Sequence, residues 1–253
     1  MFASSGNSVR PRHCPTRPNL NRCERTLANT DTRVRGHTDM PITRPSSHMS
    51  SVRVRLLTFV CKWGYRLTIR ARTWCEPLIQ ESALRSGERV LEVSAEGCSL
   101  CEVLARQYPA VHFSAVQPAG SSKSVRGPLS NLELLHGDQY CIDCRAASFD
   151  KVILSLALHP LRLSDKVALL KEMRRVLRHG GTLHIADFDQ PLHRREIHAL
   201  RGTGYLFGSE TAKPHLDGSW LNLIKQTGFD GVRRVNTVSE IVGRIAIIRA
   251  RRS

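Results

Sequence analysis

Apolar positions change period twice between Ser148 and Asp187. Val152, Ile153, Leu154, Leu156 and Leu158 form a short run. It is too brief to cross a membrane and suits a strand buried on both faces. After His159-Pro160, Leu169, Leu170, Met173, Val176 and Leu177 fall at i, i+1, i+4, i+7 and i+8, one face of a helix. Ser164 and Asp165 suit its start, where short oxygen side chains accept from free backbone N–H groups. His179-Gly180-Gly181 is expected to end it, since glycine takes a left-handed turn at little cost. Thr182 to Ala186 then reads as a second buried strand. Strand, helix and strand at this spacing make a right-handed parallel crossover, so the fold class is α/β.

The same reading extends along the chain. Arg89 to Val93 predicts a first strand, Leu100, Val103, Leu104 and Tyr108 a helical face, and Val111 to Val116 a second strand. Leu132 to Leu135 predicts a third, ending at Gly137-Asp138. Beyond Asp187, Leu192 to Leu200 reads as helix, Tyr205 to Gly218 as an irregular insertion, and Trp220 to Thr227 as an amphipathic helix closed by Gly228-Phe229. Val232 to Val238 and Ile241 to Ile248 read as strands. Ahead of the sheet, Val52 to Leu84 predicts one or two helices. Three divisions follow: a disordered basic arm over 1–48, a helical cover over 49–85 and an α/β domain over 86–253. There are no internal repeats.

Several of these residues carry a resemblance. Phe149-Asp150 before an apolar strand, His159 at its exit, Arg175-Val176-Leu177 and Gly180-Gly181 before a strand ending at Asp187 resemble the class I S-adenosylmethionine-dependent methyltransferases. More narrowly, they resemble the small stand-alone members that act on small molecules. The resemblance spans roughly 66–251. It implies a doubly wound, mostly parallel seven-stranded sheet closed by an antiparallel final pair, and S-adenosylmethionine as cofactor. It also implies a small-molecule methyl acceptor and a covering role for the N-terminal helices.

A sheet of this kind binds ligand where its strands end, beside the switch in strand order. The family's first loop has an acidic residue followed by glycines, which let backbone approach the methionyl part of the cofactor. Here Glu92 keeps the acidic position, whereas Ser94, Ala95, Glu96 and Cys98 replace small residues and only Gly97 remains. Gln117 stands where a carboxylate would grip the ribose, without charge-assisted strength. Asp138 resembles the carboxylate that meets the adenine, with Gln139 beside it, and Ser155 lies at the exit of the central strand. This altered loop gives a second reading, a catalytically impaired methyltransferase-like binding or regulatory protein. For catalysis, His159 is the candidate base, with Asp187, Glu210 and His215 behind it. Phe207, Glu210 and Thr211 fall in a segment resembling the family's acceptor loop. His184 and Asp150 read as structural.

Composition alters this picture in two places. The net charge of +16 is concentrated at the front: residues 1–75 contribute +11. With five prolines and hardly any apolar clusters, 1–48 cannot offset its conformational entropy, and it reads as a solvated tail or a stretch ahead of the true start at Met40 or Met49. A basic arm can bind RNA or anionic lipid non-specifically, so an RNA-associated methyltransferase is a third reading. Against nucleic acid, no aromatic-rich RNA-binding motif is visible. Eight cysteines without an apolar signal peptide suggest a reducing, cytoplasmic setting with free thiols. The CxxC pairs Cys98/Cys101 and Cys141/Cys144 are separated by 39 residues, too far for common zinc modules, so no metal is expected. No segment is long and apolar enough to span a membrane.

Overall fold

In the computed structural model, residues 73–94, 99–117, 127, 129–136, 139–240 and 243–253 are described. All lie in the second of the two units into which the chain divides, Met49–Ser253. The arm over 1–48 and most of the expected cover over 49–85 fall outside them; of the cover, one helix is described, α1 (Cys75–Ser82).

The order thereafter is β1 (Arg89–Ser94), α2 (Ser99–Gln107), β2 (His112–Gln117), β3 (Leu132–His136), β4 (Phe149–Ser155), α3 (Leu163–Val176) and β5 (Leu177–Phe188). Then come α4 (Arg194–Phe207), α5 (Ser209–Leu216), α6 (Trp220–Gln226), β6 (Phe229–Glu240) and β7 (Gly243–Arg252). The seven strands form one sheet in the order β3-β2-β1-β4-β5-β7-β6. β1 to β5 are parallel, and β7 runs antiparallel to both β5 and β6. This is the doubly wound, mostly parallel architecture expected from the sequence.

The central strands are apolar at successive positions because both faces are covered. Leu91, Val93, Val152, Leu154, Leu183 and Ile185 pack with Leu169, Leu170 and Met173 of α3 and with Trp220 and Ile224 of α6. The alternate residues Val90, Ile153, Ala186 and Ile247 pack with Leu78 of α1, Leu100 and Leu104 of α2 and Leu200 of α4. A period of two sorts one strand between two cores.

Two local expectations are corrected. The helix was expected to run to His179-Gly180-Gly181 but ends at Val176, and Leu177 already pairs with Phe149 in the sheet. Its last carbonyls find other donors: Ala147 N–H meets Arg175 O at 2.9 Å, and Ser148 N–H meets Val176 O at 2.8 Å. The glycines serve β5 instead. Gly180 has φ +74° beside a register shift, and a Cβ at Gly181 would stand 2.9 Å from the carbonyl oxygens of Arg178 and Asp150. Similarly, the expected irregular insertion over Tyr205–Gly218 is the end of α4, a break at Gly208 (φ +107°) and α5. α5 carries Pro214 within it, which hides it from a propensity reading. The cysteines also differ from expectation: Cys141 is disulfide-bonded, whereas Cys75, Cys101 and Cys144 form no disulfide.

Candidate functional site

The strand order reverses between β1 and β4, since the chain builds leftward from β1 through β3 and then rightward from β4. A crevice opens at the carboxyl ends of such a pair. Here both strands end in serine, with Ser94 opposite Ser155 in register. Below them lies Glu92, 1% exposed. Its carboxylate accepts from Cys101 N–H in the first turn of α2 (2.7 Å) and from the Ser155 hydroxyl (3.1 Å). A carboxylate at a helix N-terminus is stabilised by the free amides there. One acidic side chain thus ties together β1, β4 and α2. Gln117 ends β2 opposite His136, and Gln139 is half-buried beyond β3. Glu96, Gly97 and Asp138 lie outside the described residues, as do the side chains of Gln117 and Phe207.

One strand further along, β4 and β5 end in a second cluster. The turn after β4 begins at Leu156, whose φ of +51° is strained for a branched side chain. Its N–H donates to Ala186 O at 2.8 Å. The turn delivers His159 against Asp187 at the end of β5, both wholly buried, with Nδ1 and Oδ1 2.9 Å apart. Asp187 also accepts from the backbone N–H groups of Leu158 (2.7 Å), His159 (3.2 Å) and Phe188 (2.8 Å). Burial alone would raise its pKa, but the His159 ring, His215 and the Leu158 amide hold it below the usual carboxylate range. An ionised carboxylate only accepts, so His159 donates through Nδ1. In the neutral ring the lone pair is then on Nε2.

Around this pair stand Phe188, edge-on to His159 with ring centroids 4.8 Å apart, and His215 of α5 at 6.4 Å. His215 Nδ1 donates to Phe188 O (2.7 Å), and its ring stacks on Trp220 at 5.0 Å. Burial pushes its pKa down to about 4. The other acceptor-loop candidates separate. Glu210 is exposed, whereas Thr211 is buried, its hydroxyl donating to Gly208 O at 2.7 Å.

Lys166 of α3 completes the cluster, 1% exposed. Sequence reading passed over it, although a signal was present. Lys166 lies three residues before Leu169 and seven before Met173, on the apolar face of its own helix. His184 and Asp150, expected to be structural, lie apart from this cluster. His184 is buried within β5, its pKa pushed down to about 3 chiefly by burial. Asp150 accepts from Arg89 N–H at 2.7 Å and pairs with Arg178 at the opposite end of the sheet. No group of ligating side chains suited to a metal occurs among the described residues.

Comparison with known proteins adds to this geometry. The sequence profile of the family described as "Methyltransferase domain" matches residues 91–185, from β1 through most of β5. A demethylmenaquinone methyltransferase of Bacillus velezensis is 26% identical over 68% of this chain and 77% of its own length. A ubiquinone/menaquinone biosynthesis C-methyltransferase of Francisella tularensis subsp. novicida is 24% identical over 68% of this chain and 78% of its own. Among solved structures, PigF with SAH superposes with a TM-score of 0.59 at 15% identity, covering 80% of this chain and 61% of that one. The apo form of the S-adenosylmethionine-dependent methyltransferase SibL gives 0.58 at 16%, covering 74% and 57%.

Proposed function

We propose that this chain, a class I S-adenosylmethionine-dependent methyltransferase, methylates a small hydroxylated aromatic ring, with His159 as the base. The observation that carries the reading is the Nδ1 contact of His159 with Asp187, which fixes the tautomer whose Nε2 can take a proton. The two relatives are named for methylation in quinone biosynthesis, one of them for demethylmenaquinone, and the reduced form of such a quinone is a ring of this kind.

The described residues fit the cofactor. Ser94 and Ser155 put no large side chain at the mouth of the crevice, and Glu92, which would otherwise face it, is drawn inward by α2. Ser94, Ser155 and Gln139, with Glu92 beneath them, would hold S-adenosylmethionine, joined by Glu96, Gly97, Gln117 and Asp138. When bound it supplies a methyl group already activated on a sulfonium, so placement of the acceptor accounts for most of the rate.

The chain's own part is proton removal and enclosure. His159 takes the proton of a ring hydroxyl, which raises electron density on the ring. Asp187 stabilises the imidazolium that results. Phe188 and Trp220 supply apolar walls, and His215 is held neutral by burial. Phe207, Glu210 and Thr211 lie at the α4–α5 junction, the side from which an acceptor would enter. His159 is wholly enclosed, so its neighbours must part to admit the ring.

The test uses the full chain with S-adenosylmethionine and a reduced, short-chain demethylmenaquinone as probe. A singly methylated product is expected. His159→Gln should lower kcat by roughly 10²–10⁴-fold while calorimetry shows unchanged S-adenosylmethionine affinity. Unaltered kcat in that variant would remove His159 as base. A wild-type protein that binds the cofactor but methylates no such ring would remove the acceptor class.

A further inference from the structure

The cluster contains one residue that the chemistry above does not use. Lys166 Nζ stands 2.7 Å from Leu158 O, 3.3 Å from His159 O, 2.6 Å from Leu161 O and 3.1 Å from Thr211 O. An ammonium carries three N–H donors, so one is shared among four carbonyls. Three of those carbonyls belong to the turn that delivers His159. The fourth belongs to α5, the helix carrying His215.

We infer that Lys166 is a positioning residue for methyl transfer, joining the His159 turn to α5 and so fixing the wall against which the acceptor must dock. The inference rests on the reading of His159 as base. A lysine is rarely this buried without a carboxylate beside it. Lys166 makes all four of these contacts to neutral carbonyls, and the acidic groups it feels, Asp187 of β5 and Asp165 of its own helix, act on it through space. His159 and His215 face it from the other two elements. Burial pushes its pKa down to about 8 against the pull of the two carboxylates. An apolar residue of equal length would pack here at less electrostatic cost. What such a residue could not do is donate at once to carbonyls of the turn, His159 O and Leu161 O among them, and to Thr211 O of α5.

This separates from a purely structural role because the crevice that holds the cofactor and the turn that holds the base are built by different contacts. In the full chain, Lys166→Met should leave S-adenosylmethionine affinity within twofold by calorimetry. It should lower kcat on the demethylmenaquinol probe at least tenfold and raise amide exchange across Thr211–Leu216 at least tenfold, while β1 and β4 keep their protection. Lys166→Arg, which keeps cationic donors, should recover part of kcat. If the Met variant does not fold, Lys166→Gln offers two donors and the same readouts. Unchanged exchange in α5 would overturn the proposal whatever the activity, as would an equal loss of cofactor affinity. If the wild type methylates no ring, the acceptor assignment fails, and exchange still judges the link between turn and helix.

Discussion

Two buried lysines, at opposite ends of the same sheet, are treated differently by the fold. Lys151 lies near the start of β4 and is 8% exposed; Lys166 follows the exit of β4 and is 1% exposed. Lys151 Nζ meets the Glu88 carboxylate at 2.6 Å and Ala83 O at 3.0 Å. Its neighbours follow suit, with Asp150 taking both Arg89 N–H and Arg178. At the amino ends of the strands, buried charge meets opposite charge. Around the exits of β4 and β5, Lys166 is given only carbonyls, His215 is held neutral by burial, and Asp187 is spent on a histidine and three amides, while the charge pair of this end, Asp189 with Arg234 and Arg244, lies just beyond β5. The first arrangement holds strands in register. The second gathers His215 and Lys166, whose pKa values burial pushes down, and perturbed values of this kind concentrate at enzyme sites.

The comparison is broken most sharply by pH. An unfolded chain protonates a histidine near pH 6.5, whereas folded His215 resists until about pH 4. Between those values the unfolded state holds the extra proton, so stability falls as pH falls. His215 should account for a loss of about 3 kcal/mol by pH 4. His184, depressed to about 3, adds to the same limb. His215→Phe keeps the stack on Trp220 and removes that share, so its urea midpoint should decline less between pH 7 and pH 4 than the wild type's. An equal decline would show that the carboxyl-end cluster is not under the strain described.

At the other end, Lys151→Met should cost stability and leave chemistry alone. Removing it strands the Glu88 carboxylate, whose side chain is 16% exposed, and Ala83 O. Because that site is partly open, the loss should be about 2 kcal/mol, below that of a fully buried pair. The check is a denaturation midpoint beside kcat on the quinol probe. A tenfold fall in kcat with cofactor affinity intact would erase the distinction between the two ends.

How far the sequence disclosed this division depends on the residue. The strands were legible because a period of two and a period of 3.6 differ over a few residues, and the crossover from Phe149 to Phe188 follows from Val152, Leu169 and Ile185 alone. His159 and Asp187 were legible as a strand exit and a strand end, but their contact was not. It depends on the turn at Leu156, a positive φ on a residue that gives no sign of it. α5 was missed because Gly208 and Pro214 read as loop, whereas Thr211 ties its first turn to Gly208 and Lys166 holds it from outside. Gly180-Gly181 was legible as a special site but assigned to the wrong element. A helix stop and a close approach within a strand both require glycine, and only the neighbouring carbonyls of Arg178 and Asp150 decide between them.

The smallest expected effect sharpens the comparison from within the amino-end group. Arg178 pairs with Asp150, yet its side chain is 60% exposed. Water screens such a pair, and ordering a long side chain costs entropy, so exposed pairs contribute about 0–1 kcal/mol. Asp150 does not depend on it, since the carboxylate also accepts from Arg89 N–H at 2.7 Å, a backbone contact no substitution at 178 removes. Arg178→Ala should therefore lower the urea midpoint by an amount barely outside error and leave kcat unchanged. A loss above about 2 kcal/mol, beyond what an exposed pair supplies, would mean that opposite charge at this end does more than hold register. Proximity to a carboxylate would then no longer separate the structural end of the sheet from the chemical one.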